Sequence, residues 1–109
     1  MPATNEIFDA DFETRRLDMM AQQFPDQASI NMRVIFSCNE EDYGFDDCGF
    51  FHEIHSPDTE TEAYRYFRSL MIQLIITFIE YRKRCDKKPR HRGEIVLQQG
   101  EFTITWSDQ

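Results

Sequence analysis

Cysteine is scarce in this chain, and the three present, Cys38, Cys48 and Cys85, are an odd number with no repeated spacing. That excludes a disulfide framework and any Cys-x-x-Cys metal knuckle. Glycine is equally thin: Gly44, Gly49, Gly93 and Gly100 are scattered, so no phosphate-cradling loop or dinucleotide fingerprint exists. The N-terminus, MPATNEIFDADF, has no basic stretch followed by an apolar run, so no signal peptide is expected. Reduced thiols and a cytoplasmic compartment follow as expectations. Long hydrophobic runs are missing too. The most apolar stretch, Leu70 to Ile79, is broken by Gln73 and Thr77 and falls far short of the ~20 residues a membrane helix needs, so no membrane span is expected.

Basic residues are scarce in the first part of the chain. Residues 1 to 62 hold fifteen acids against three Arg, a net of -12, while residues 63 to 109 hold nine bases against five acids, a net of +4. The total of -8 repels nucleic acid and anionic membranes at long range, which makes free nucleic acid an unlikely ligand. The bases concentrate in residues 82 to 92, RKRCDKKPRHR, with seven cations and one acid. No aromatic is interleaved there. The run reads as a helix C-terminus whose cations complement the dipole, followed by a solvated linker, with an acidic protein as the competing ligand.

What is plentiful is apolar and aromatic side chain: 40% hydrophobic and ten Phe in 109 residues, enough for the core of a single domain. Apolar positions Phe8, Phe12, Leu17, Met20, Ala21 and Phe24 predict a helix from about Ile7 to Phe24, with an Asp11–Arg15 pair and Pro25 as its stop. Alternation in residues 29 to 38 predicts a strand burying Ile30, Met32, Val34, Phe36 and Cys38. A second strand is expected from Gly49 to His55, making a hairpin with an unusually long loop. Thr59 to Glu62, TETE, has the capping-box form, and a helix should run from near Glu60 to about Cys85, buried on most sides. It is expected to pack between the sheet and the first helix, or between the sheet and a second subunit. If Gln99-Gly100 is a two-residue turn, Leu97 faces Phe102, Ile95 faces Ile104, and the Trp106 indole covers Gly93. The fold class is α+β: an antiparallel four-stranded sheet with two helices, in the order α-β-β-α-β-β.

Three chemistries can be weighed on spacing. Cys38, Cys48, His52 and His55 offer zinc-ligand types, but nine residues separate the cysteines, and on a strand His52 and His55 point to opposite faces. Counting an EF-hand from Asp42 puts Asp46 fifth and Glu53 twelfth; yet Gly44 takes a liganding place and Asp47 takes the place of the turn glycine. His52 with Glu53, or Cys48 with His52, could suggest acid-base or thiol catalysis, but neighbours on a strand face apart and nothing orients the base. No catalytic residue, metal ligand or cofactor is assigned.

The acidic stretch NEEDYGFDDC, residues 39 to 48, remains as a docking feature. Its residues Glu40, Glu41, Asp42, Tyr43, Phe45, Asp46 and Asp47 combine aromatic anchors with a charged rim, which suits a basic protein, such as a nuclease or another nucleic-acid-binding complex. The opposing expectation is that Tyr43 and Phe45 fold back onto the core. In size, charge and element order the chain resembles small inhibitors such as phage anti-CRISPR proteins, nuclease-toxin immunity proteins and other DNA mimics. It is also similar to the dimeric acidic secretion chaperones, although it lacks an amphipathic helix after Trp106. Neither resemblance carries residue roles. The expected function is a non-enzymatic inhibitor of a basic partner; the alternatives are a homodimeric chaperone or adaptor joined through the long helix at Leu74 and Ile75, and a metal-dependent enzyme.

Overall fold

The computed structural model describes residues 9–25, 31–39, 41–52, 61–85 and 92–107. They form an α+β fold in the order α1 (Phe12–Gln23), β1 (Met32–Cys38), β2 (Phe45–His52), α2 (Glu62–Arg84), β3 (Arg92–Gln98) and β4 (Glu101–Ser107). The sheet is antiparallel throughout, with spatial order β2-β1-β3-β4.

α1 begins later than its apolar stripe suggests. Asp9 holds the preceding turn: its backbone oxygen accepts from the Phe12 N–H at 3.1 Å and its Oδ1 from the Asp11 N–H at 2.9 Å. Arg15 pairs with Asp9 and not with the expected Asp11, which occupies the N-cap and accepts the Arg15 N–H through its backbone carbonyl at 2.9 Å. The helix ends at Gln23 with Phe24 as its C-cap, immediately before the expected stop at Pro25. Leu17 and Met20 are buried, while Met19 points outward.

β1 buries Met32, Val34, Phe36 and Cys38, every second residue; Ile30 lies outside the described residues. β2 starts at Phe45, four residues before the expected Gly49, so the hairpin turn is shorter than the sequence implies. Acids are poor strand formers, but pairing with an ordered neighbour outweighs that propensity. Ser37 faces Asp47 and Cys38 faces Phe45, leaving Asp46 as the extra residue of a bulge. Residues 53 to 55 of the expected strand lie outside the described residues.

α2 is capped by Thr61, whose Oγ1 accepts from the Tyr64 N–H at 3.2 Å. The expected cap, Thr59, lies outside the described residues, and the third helical position is Tyr64, so the TETE box does not form in the predicted register. Tyr64, Phe67, Met71, Ile75, Phe78, Ile79 and Tyr81 are buried, but Ala63, Gln73, Ile76, Thr77 and Glu80 are exposed. The outer face is therefore broader than the narrow polar strip expected: one sheet and one helix do not surround a helix. α2 packs against both. Phe12 stacks on Tyr81 with centroids 3.6 Å apart, Phe24 meets Phe67 edge-on, and Phe67 meets Phe102 of the sheet edge-on.

The β3–β4 hairpin has the predicted register, Leu97 to Phe102, Ile95 to Ile104 and Gly93 to Trp106. Gln99 and Gly100 have φ of 53° and 81°, both positive, as a tight hairpin turn of the primed kind requires. The role of Trp106 differs from the expectation. The ring filling the space above Gly93 is Phe36, from the strand on its other side; a Cβ at position 93 would lie 2.2 Å from the Phe36 Cζ. Trp106 packs edge-on against Phe36 at 5.2 Å.

Candidate functional site

The acidic hairpin tip is built by its first residue. Asn39 Oδ1 accepts from the N–H groups of Glu41 and Asp42 at 3.1 and 2.9 Å, and the Asn39 N–H donates to the Gly44 carbonyl at 2.9 Å. Asp42 Oδ1 accepts from the Gly44 N–H at 2.9 Å. These are local side-chain turns, the usual work of Asn and Asp outside helices and sheets. Tyr43 takes a left-handed φ of 60° within them. The Gly44 amide, with Asn39 second, holds the Asp42 carboxyl below its ordinary range, so it stays charged at neutral pH.

Glu41, Asp42, Asp46 and Asp47 are exposed, and none forms an ion pair with a described residue. Glu40 lies outside the described residues. Tyr43 and Phe45 are half-buried and pack against the core, which brings the rings to the inner side of the hairpin and leaves the carboxylates outside. The acidic and basic regions are also less separate than their places in the sequence imply. Lys83, in the last turn of α2, also lowers the Asp42 carboxyl through its charge, so the field of the basic segment reaches the acidic tip. Residues 86 to 91 of that segment lie outside the described residues.

The other candidate chemistry separates in space. Among the described residues no three His, Cys, Asp or Glu side chains converge as metal ligands. Glu53 and His55 lie outside the described residues. His52 sits at the end of β2 with its Nε2 3.2 Å from the hydroxyl of buried Tyr64, and burial lowers its pKa from the ordinary 6.5. Burial also pushes the Cys38 and Cys48 thiols up, the opposite of what a nucleophilic cysteine requires. Among the described residues no helix is long and apolar enough to cross a membrane.

Two features escaped the sequence reading. Glu13 is the one buried charged residue among those described, and Arg82 donates to it through two nitrogens at 2.8 and 2.9 Å. The Arg82 guanidinium also lies 4.3 Å from the Trp106 ring, so the cluster ties α1, α2 and β4 together. The helical pattern around Glu13 gave a weak signal, since its position falls between apolar Phe12 and Leu17. The second feature is the outer face of the sheet, where Phe51 is 55% exposed beside Arg33, opposite it on β1. Alternation could have found Phe51, since Phe50 and Phe51 cannot both face inward. No family model matches the chain, and no curated protein or solved structure matches it.

Proposed function

We propose that the chain is a non-enzymatic binding protein that inhibits a basic, nucleic-acid-handling partner through its acidic hairpin. The observation that carries this reading is the projection into solvent of Glu41 and Asp42 from a turn held by its own hydrogen bonds, and of Asp46 and Asp47 from the start of β2. Carboxylates fixed in this way can occupy the cationic sites that such a partner offers to phosphates, and prior ordering of the turn lowers the entropic cost of binding. Tyr43 and Phe45 then act from the inner side, bracing the turn on the core, and Glu40 extends the same acidic run. Three free thiols fit a reducing, cytoplasmic setting. A homodimer seated on α2 would have to do without Ile75, which is fully buried in the chain's own core.

The test is the quadruple variant Glu41→Gln, Asp42→Asn, Asp46→Asn, Asp47→Asn. Asn at position 42 keeps an oxygen for the Gly44 amide, so the turn survives while four charges go. Immobilised wild-type chain should retain a basic partner that salt releases, and the variant should associate with it about 10- to 100-fold more slowly. Equal association by a variant with unchanged circular dichroism refutes the proposal.

A further inference from the structure

The sheet has two edge strands, β4 and β2; α1 packs against β4 and α2 against β2, and among the described residues no strand pairs with the outer side of either. β2 is the edge that continues the acidic hairpin. An edge strand presents backbone N–H and C=O groups able to hydrogen-bond another chain. From Cys48 to His52, β2 is paired with β1 without interruption, so that stretch of its edge is regular; the bulge at Asp46 confines the irregularity to the hairpin end.

Side-chain character changes along this edge. Asp46 and Asp47 stand exposed at the hairpin end, and Phe51 stands exposed toward the other. The Phe51 ring lies across Gly49, 2.9 Å from where a Cβ would project, so it is laid along the strand as an apolar flank.

We propose that the outer edge of β2 receives an extended segment of the partner by strand addition, with Lys or Arg of the segment beside Asp46 and Asp47 and an apolar side chain beside Phe51. This rests on the acidic-hairpin reading above and states what the partner must present. In this mode backbone hydrogen bonds supply affinity and alternate side chains supply selectivity. A second copy of the chain matches the edge poorly. Antiparallel pairing about Gly49 sets Asp47 beside Phe51, and parallel pairing sets carboxylate beside carboxylate. A strand basic at one end and apolar at the other matches both ends.

The probe is an eight-residue peptide with lysines in one half and valines in the other, compared with the same peptide N-methylated at its four central residues. The two have equal charge, but the second has lost its central donors along both edges. The unmethylated peptide should bind at least about tenfold more tightly, since several backbone hydrogen bonds are at stake. It should also slow amide exchange between Cys48 and His52, and lose affinity with Asp46→Asn/Asp47→Asn and with Phe51→Ser, which alters only an exposed side chain. Equal affinity for the two peptides overturns strand addition while leaving charge-based docking standing, and so does the absence of binding by either. Failure of the acidic reading shows separately, as undiminished capture by the quadruple variant.

Discussion

Replacing Glu13 with Gln removes one charge from a site closed on three sides by α1, α2 and β4. Glu13 and Arg82 side chains are only 8% and 13% exposed, and the two-point contact is well aligned. Removing one partner of such a buried pair leaves the other charge poorly solvated, at a cost of about 3–5 kcal/mol. The Trp106 ring, 4.3 Å from the guanidinium, offsets part of that by about 1 kcal/mol. The expected loss for Glu13→Gln is therefore about 2–4 kcal/mol, and for Glu13→Ala somewhat more, because packing is lost as well. In a chain of 109 residues each kcal/mol moves Tm by about 4–8 °C, so Glu13→Gln should lower it by at least about 8 °C. Urea unfolding of Glu13→Met, Arg82→Met and the double variant gives the coupling. The double variant should recover most of the loss of either single one, since apolar replacement of a whole buried pair is often neutral. A Glu13→Gln variant within about 0.5 kcal/mol of wild type, or strict additivity in the cycle, would show that the pair does not stabilise the fold.

Two further outcomes follow from the packing. Gly93→Ala puts a methyl 2.2 Å from the buried Phe36 ring and should cost about 1–3 kcal/mol in urea unfolding, with Phe36→Leu in the same chain recovering part of it; additive losses would count against the steric cause. His52 is lowered in the folded state by burial, so the unfolded chain binds more protons below its ordinary value of 6.5. Its contribution is complete above that pH and is lost as pH falls through the lower folded value. Wild-type Tm should fall between pH 7 and pH 5.5 more steeply than that of His52→Gln; parallel curves would remove His52 as the cause.

Local pattern carried much of the fold. Pro25 marked the end of α1, alternation marked the inner face of β1, and the Gln99-Gly100 turn set the β3–β4 register residue by residue, because side-chain direction in strands and left-handed turn geometry are properties of short segments. The acidic composition of residues 39 to 48 was equally legible, but its division into turn and strand was not. Asp46 and Asp47 enter β2 because β1 offers them pairing partners, which intrinsic propensity does not register.

Contacts between distant segments were decided only by the tertiary structure. Sequence determined that Gly93 faces Trp106, yet strand order put Phe36 on its other flank, and the Phe36 ring took the space. Glu13 and Arg82 lie 69 residues apart, and nothing local to either signals that α1 and α2 run side by side. The same holds at the hairpin: five carboxylates and two aromatic rings were visible as a composition, but the core drew Tyr43 and Phe45 inward and left the charges of Glu41, Asp42, Asp46 and Asp47 outside. Burial is a property of the assembled layers, and it sorts side chains that sequence spacing leaves equivalent.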